Sequence, residues 1–160
     1  MVKEKKAGSL IIISGPSGAG KGTIVNELIK NTNLNLSISM TTRPKREGEV
    51  EGKDYYFVTK QEFAKQIKKG NFLEYANVHG DNYYGTPKDK VLKSLENGKD
   101  IILEIDIQGA LKVKEKYKEG IFIFIMPPSM RELKNRLIRR NTETIDKVIT
   151  RFKDAYQEIN

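Results

Sequence analysis

The chain has 160 residues, a net charge of +8 at neutral pH and no cysteine. This length suits one domain with a substantial core, and a chain without cysteine has no disulfide bonds and no thiolate metal sites. No apolar run is long enough to span a membrane, and the charged first six residues with their short apolar run are not typical of a signal peptide. We therefore expect a cytoplasmic protein with no membrane partner.

The first predicted element is a phosphate-binding loop between a strand and a helix. The apolar run Leu10–Ile13 predicts a buried strand, and the apolar face from Ile24 to Ile29 predicts a helix. Glycines between them let backbone N–H groups approach an anion, the helix N-terminus adds partial positive charge, and Lys21 adds a full one. The predicted loop consists of Gly15, Pro16, Ser17, Gly18, Ala19, Gly20, Lys21, Gly22 and Thr23. This segment predicts a nucleotide-binding protein.

One position of the loop departs from the common pattern. Gly22 follows the lysine, where Ser or Thr usually serves as the ligand of Mg²⁺. Thr23 carries the nearest hydroxyl, so we expect it to contact Mg²⁺ directly or through water.

Residues 39–88 are polar, aromatic and rich in turns, and they predict an inserted mixed α+β subdomain with short antiparallel strands. Arg43 and Arg46 lie three residues apart, so they could fork around one phosphate, with tyrosine hydroxyls as further donors. A glutamate such as Glu74 could accept two hydrogen bonds from the N1 and N2 edge of guanine, an edge that adenine lacks. Together these residues could hold a guanine nucleoside monophosphate.

Strands and helices alternate again after the insert. The apolar runs Ile101–Ile105 and Ile121–Met126 predict buried parallel strands covered on both faces. Helices are expected after Thr86-Pro87, around 110–117, after the Ser129/Glu132 capping pair, and along the apolar stripe from Ile145 to Tyr156. The predicted fold is α/β, with a parallel sheet of the P-loop nucleotide-hydrolase type, flanked by helices.

An ordered set of motifs resembles the guanylate kinases from about Ser9 to Glu158. The matching segments are 14–18, 41–44, 52–55, 83–85, 104–109, 127–129, 136–137 and 142–144. One such motif would be weak evidence, whereas the ordered set is specific.

The resemblance implies one domain over residues 1–160. The core would comprise about 1–38, 89–133 and 150–160, with a GMP-binding insert at about 39–88 and a small helical lid at about 134–149. Relatives continue with another strand and helix, and we expect that this chain, which ends at Asn160, lacks them through truncation.

The resemblance also implies the residues of the site. Ser39, Glu74 and Thr86 match positions that contact guanine; Arg43, Arg46, Tyr55 and Tyr84 match those that hold the acceptor phosphate; and Asp106 matches a carboxylate near the acceptor nucleotide or magnesium-bound water. Lys21 and the loop would hold ATP, with Arg140 as a further ATP contact. Lys21, Arg43, Arg136 and Arg151 would stabilise the transferred group, Glu104 stands where some relatives have Asp, and His79 is assigned no chemistry.

Other interpretations of single residues stay open. Tyr55 and Tyr84 could pack the insert, Glu74 could be an ordinary exposed acid, and Asp106 could cap a helix. Arg43, Arg46 and Arg140 could be solvated surface charges.

The implied activity is transfer of the γ-phosphoryl group of ATP to GMP or dGMP, giving ADP and GDP, with Mg²⁺ as cofactor. The acceptor phosphate is largely ionised at neutral pH, so the reaction needs positioning and charge stabilisation rather than a general base. The expected partners are ATP and GMP, and not nucleic acid.

Three alternatives remain at this stage. A kinase-like module that binds peptides would not need Lys21, Arg43 and Arg46. A kinase for another small phosphate ester would keep the loop but change the base contacts at Ser39 and Glu74. A basic nucleic-acid-binding domain would explain the charge but not the ordered motifs.

Overall fold

The computed structural model describes residues 6–78, 81–139 and 144–160. Its strands are β1 (Leu10–Ser14), β2 (Asn35–Leu36), β3 (Met40–Thr41), β4 (Tyr56–Phe57), β5 (Phe72–Val78), β6 (Asn82–Pro87), β7 (Ile101–Glu104) and β8 (Ile121–Phe124). Its helices are α1 (Lys21–Asn31), α2 (Lys60–Lys68), α3 (Lys88–Glu96), α4 (Ile107–Lys116), α5 (Met130–Arg139) and α6 (Ile145–Ile159). None of the helices in the described ranges is long and apolar enough to cross a membrane.

The first sheet is parallel, with strand order β2-β7-β1-β8. Ile12 and Leu103 pack on one face with Val113 of α4, and Ile102 packs on the other face with Val25 of α1. These five side chains are almost completely buried. Burial on both faces explains the continuous apolar runs of β1 and β7, and the predicted α/β fold with a parallel sheet is confirmed.

The prediction for the third apolar run is wrong in two respects. Its strand β8 ends at Phe124 rather than Met126, and among the described strands it pairs only with β1, at the end of the strand order. Ile121, Ile123 and Phe124 are 50%, 42% and 36% exposed, so β8 is not covered on both faces. An apolar run predicts a strand, but it does not distinguish a central position from an edge position, because that depends on neighbours distant in sequence.

The second sheet is built from the insert, with strand order β4-β3-β6-β5. β6 pairs antiparallel with β3 and β5, as the predicted short antiparallel strands required, whereas β3 and β4 are parallel. Phe63 of α2 stacks on Phe72 with ring centroids 4.5 Å apart. Thr59 caps α2 by accepting a hydrogen bond from the backbone N–H of Glu62 at 3.1 Å.

Helices α5 and α6 pack on each other around Leu133, Leu137 and Ala155. The hydroxyl of Ser129 accepts a hydrogen bond from the backbone N–H of Glu132 at 3.1 Å, so the predicted cap of α5 is confirmed. This pair of helices carries the arginines that flank the phosphate loop.

Candidate active site

The phosphate loop connects the carboxyl end of β1 to the N-terminus of α1. Gly15 has φ +145°, and a Cβ at this position would lie 2.3 Å from the carbonyl oxygen of Ile125, so the loop requires glycine there. The ammonium of Lys21 donates hydrogen bonds to the carbonyl oxygens of Gly15 at 2.5 Å and Pro16 at 3.1 Å. The cation therefore lies inside the loop, where an anion would be held.

A cavity of about 380 Å³ brings the loop together with residues of the second sheet. The predicted residues that line it are Gly15, Ser17, Gly18, Gly20, Lys21, Gly22, Thr23, Ser39, Arg43, Arg46, Tyr55, Glu74, Tyr84, Asp106 and Arg151. Ala19 and Arg136 instead line a second cavity of about 460 Å³, which shares Gly18, Gly20 and Thr23 with the first. Pro16 contributes its carbonyl to Lys21 and Thr86 contacts Glu74. Arg140 and His79 lie outside the described residues.

Glu74 lies deep in this cavity and is only 4% exposed, which rules out the alternative of an ordinary surface acid. Its Oε1 accepts a hydrogen bond from the hydroxyl of Thr86 at 2.7 Å, and the buried Ser39 lines the same cavity. Burial raises the pKa of Glu74 to about 7; the hydrogen bond from Thr86 opposes the shift and the negative charge of Asp106 adds to it. A carboxylate of this kind can accept paired hydrogen bonds from a bound base.

Arg43 is also buried, at 8% exposure, and is not a solvated surface charge. Its terminal nitrogens donate to the two carboxylate oxygens of Glu49 at 3.0 and 2.7 Å, and one of them also donates to the carbonyl of Pro44. Burial acts to lower the pKa of Arg43, but the hydrogen bond to Glu49 and the nearby Tyr84 raise it above its ordinary value. Arg43 therefore stays protonated.

Glu49, which the sequence motifs did not indicate, pairs with Arg43 and lines the same cavity. It also accepts a hydrogen bond from the backbone N–H of Arg46 at 2.8 Å, and its pKa is lowered because these donors outweigh its burial. The available signal was the regular spacing of Arg43, Arg46 and Glu49, three residues apart along one loop.

The two predicted tyrosines both pack and line the cavity. Their rings meet edge to face with centroids 5.9 Å apart, and the guanidinium carbon of Arg43 lies 5.4 Å from the ring centroid of Tyr55. Burial raises the pKa of Tyr55 to about 12, so its hydroxyl stays a neutral donor. Tyr55 and Tyr84 can therefore pack against each other within the insert and still line the cavity as possible phosphate ligands.

Asp106 caps α4, as one alternative predicted. Its carboxylate accepts hydrogen bonds from the backbone N–H groups of Gln108 at 3.1 Å and Gly109 at 3.3 Å. Glu104, at the end of β7, lines the same cavity as Asp106 and Thr23, so carboxylate and hydroxyl oxygens stand beside the loop. Across the described residues there is no group of three or more His, Cys, Asp or Glu that could hold a metal ion by itself.

Two arginines from α5 and α6 contact the phosphate loop. Arg136 donates to the carbonyl oxygen of Ala19 at 3.3 Å and is held by Glu132 at 2.9 Å. Arg151 donates to the hydroxyl of Ser17 at 3.1 Å. With Lys21 they place three cations around the loop, an arrangement suited to a phosphate chain.

Comparison with known proteins agrees with this geometry. The guanylate kinase family model matches residues 7–160. Guanylate kinase from Clostridium tetani is 66% identical over 96% of this chain and 73% of its own length, and that from Caldanaerobacter subterraneus subsp. tengcongensis is 62% identical over 98% and 76%. The crystal structure of guanylate kinase from Anaplasma phagocytophilum superposes with a TM-score of 0.80 at 40% identity, covering 97% of this chain and 72% of that one. The chain belongs to the guanylate kinase family.

Proposed function

We propose that the chain transfers the γ-phosphoryl group of ATP to GMP or dGMP, giving ADP and GDP or dGDP. The observation that carries this proposal is the cavity that the phosphate loop lines together with the buried side chains of Glu74 and Arg43. The phosphate loop could bind one nucleotide and the carboxylate of Glu74 could bind the base of another. A donor and an acceptor nucleotide placed end to end would therefore fit this cavity. The names of the relatives support the same activity.

The acceptor end of the cavity is proposed to bind GMP. Glu74 accepts hydrogen bonds from N1–H and the 2-amino group of guanine, while Ser39 and Thr86 supply hydroxyls beside it. The phosphate of GMP is bound by four residues of the insert: Arg43, Arg46, Tyr55 and Tyr84. Asp106 lines the same cavity and is proposed to contact the acceptor nucleotide.

The donor end is proposed to bind the phosphate chain of ATP. Backbone N–H groups of the loop and the ammonium of Lys21 hold the phosphates. Arg136 and Arg151 approach from α5 and α6 and neutralise charge on the transferred group. Arg140 stays a prediction as an ATP contact, because it lies outside the described residues.

Magnesium fits the oxygen donors at this end. Mg²⁺ keeps most of its waters and takes only one or two protein oxygens beside nucleotide phosphates, so a three-carboxylate cluster is not required. Thr23, with Glu104 and Asp106 behind bound water, would hold it. When bound, the ion neutralises phosphate charge.

In the proposed reaction an ionised oxygen of the GMP phosphate forms a bond to the γ-phosphorus of ATP as the bond from that phosphorus to the bridging β,γ-oxygen breaks. The electron pair of the broken bond stays on the β-phosphate, so no proton has to move. The protein residues align the two nucleotides in line and stabilise charge on the oxygens of the transferred group. The proposal places this reaction in the cytoplasm, where both nucleotides are available.

The test is ADP formation from Mg-ATP with GMP, dGMP, AMP, UMP and CMP measured in parallel, and with Lys21→Ala as the matched inactive variant. We expect turnover with GMP and dGMP alone, and loss of turnover when excess EDTA removes Mg²⁺. Equal turnover with AMP would reject the guanine-reading role of Glu74. ADP formation that does not depend on any acceptor would indicate an ATPase instead.

A further inference from the structure

Glu74 stands on a strand whose outer edge is held by a helix of the first sheet. β5 is the edge strand of the second sheet, so among the described strands only β6 pairs with it. Alternate carbonyl groups of a strand point to the same side, and those of Leu73 and Tyr75 lie on either side of Glu74. The ammonium of Lys116 donates to the Leu73 carbonyl at 3.2 Å, and that of Lys112 donates to the Tyr75 carbonyl.

The same helix touches the carboxylate of Glu74 directly. A Cβ built on Gly109 would lie 2.6 Å from Oε2 of Glu74 and 3.1 Å from its carboxyl carbon, so this oxygen lies against the bare backbone of α4. The other oxygen, Oε1, is held by Thr86. Gly109 lies in the first turn of α4 and does not have a positive φ, so the backbone conformation does not require glycine there, whereas the contact with Glu74 does. Only glycine leaves room for the carboxylate in this orientation.

We propose that Gly109, Lys112 and Lys116, which we call the α4 brace, position the carboxylate of Glu74 and thereby determine how well the cavity distinguishes guanine from related purines. The spacing of three and four residues places all three on one face of α4. This inference rests on the proposed role of Glu74 as the residue that reads the base. The brace residues act through Glu74 and are positioning residues.

The positive charges of the α4 brace also favour the ionised carboxylate of Glu74. Burial is the largest influence on Glu74 and favours its neutral form, whereas Lys112 and Lys116 favour the carboxylate. Lys112 also lies over the ring of Tyr75, with its nitrogen 5.2 Å from the centroid, which fixes that lysine against β5. The brace therefore supports both the position and the charge of the acceptor group.

The chemistry of the base provides a direct readout of the carboxylate position. Guanine offers two neighbouring donors, N1–H and the 2-amino group, and hypoxanthine offers only N1–H. A well-placed carboxylate accepts both hydrogen bonds from GMP but only one from IMP. A displaced carboxylate loses the second bond, so the preference for GMP over IMP falls.

The experiment measures kcat and KM for GMP, IMP and ATP in wild type, Gly109→Ala and the double variant Lys112→Met/Lys116→Met. Lys114→Met is the matched control, because Lys114 lies on the same helix and its ammonium is near the ring of Phe122 instead, 6.0 Å from its centroid. We expect the GMP-over-IMP ratio of kcat/KM to fall about tenfold in Gly109→Ala and about threefold in the double lysine variant. The KM for ATP and all constants of Lys114→Met should stay within about twofold of wild type.

A rescue variant separates positioning from general damage. Glu74→Asp shortens the side chain, so combining it with Gly109→Ala should cause a smaller loss than the sum of the two single losses. An unchanged GMP-over-IMP ratio in the lysine variant would overturn the proposal even if Gly109→Ala does not fold. An equal loss in Lys114→Met would also overturn it. Wild type that does not phosphorylate GMP at all would instead refute the proposed function on which the inference rests.

Discussion

The carboxylate of Glu49 binds both terminal nitrogens of Arg43, with one N–O distance of 3.0 Å and the other of 2.7 Å. This pair is largely buried, and Glu49 accepts a further hydrogen bond from the backbone of Arg46. The guanidinium that we propose as a phosphate ligand is therefore oriented before any nucleotide arrives. Preorganisation of this kind lowers the entropic cost of binding.

Replacing Glu49 tests that orientation. In Glu49→Ala the buried guanidinium of Arg43 loses its partner, so we expect the free energy of unfolding to fall by roughly 1–3 kcal/mol and the KM for GMP to rise about tenfold. Urea unfolding and steady-state kinetics measure the two effects. Glu47→Ala, an exposed acid of the same loop, is the control. A KM for GMP that stays at the wild-type value would show that Glu49 does not orient Arg43 for binding.

The raised pKa of Glu74 makes GMP binding depend on pH. Glu74 titrates at about 7, and only its ionised form accepts two hydrogen bonds from guanine, so affinity for GMP should increase as the pH rises from 6 to 8. Calorimetric titration across this range measures the change. The phosphate of GMP itself ionises at a pKa of about 6. The Glu74→Gln variant lacks the ionisable carboxyl group, so its pH dependence measures the contribution of the phosphate alone. An equally steep pH dependence in that variant would assign the effect to another group.

The same pKa shift affects stability in the opposite direction. Folding raises the pKa of Glu74 from 4.5 to about 7, so protonation of this carboxyl group stabilises the folded protein. This stabilisation is fully present below pH 4.5 and is lost as the pH rises through 7. The loss amounts to about 3 kcal/mol. Denaturant unfolding of wild type and Glu74→Gln at pH 5 and 8 measures it. We expect the stability difference between the two proteins to change with pH, and a constant difference would contradict a raised pKa.

Lys21 is expected to serve transfer rather than acceptor binding. Its ammonium lies within the phosphate loop, on the carbonyl oxygens of Gly15 and Pro16. Lys21→Ala should lower kcat by about 10³ or more, while calorimetry should show GMP binding within about twofold of wild type. Lys30→Ala, at the exposed end of the same helix, is the control. Comparable losses of GMP affinity and kcat would mean that Lys21 also supports the acceptor site.

Arg136 gives a fifth prediction through its contact with the loop carbonyl of Ala19. Arg136→Ala should reduce kcat by roughly 10²–10³ and leave the KM for GMP nearly unchanged, because the residue contacts the loop that we propose binds ATP. Arg131→Ala removes an exposed arginine from the same helix and should have no comparable effect. If both variants lose activity equally, the loss comes from α5 as a whole and not from the contact of Arg136.

The parts of the site that are local in sequence could be predicted from it. The phosphate loop follows from glycines and Lys21 between a strand and a helix, and the caps at Thr59, Asp106 and Ser129 follow from single residues before helices. The motifs of the family also indicated residues that the fold gathers into one cavity.

The parts that depend on distant contacts could not be predicted. The contact of Gly109 on α4 with Glu74 on β5 joins two residues that are far apart in sequence. The exposed position of β8 depends on strand order, which an apolar pattern does not contain. In each case the missing information was a tertiary neighbour.

The strand pairing of the two sheets has a consequence for how the protein acquires activity during folding. Glu74 and Thr86 lie on β5 and β6, a hairpin whose strands are close in sequence, whereas β1 pairs through Leu10 with Ile101 and through Ile11 with Ile121. Pairing strands that are far apart in sequence is slow compared with forming a hairpin. We therefore expect the strands that carry Glu74 and Thr86 to form early and the phosphate loop to reach its final shape only after most of the chain has been synthesised.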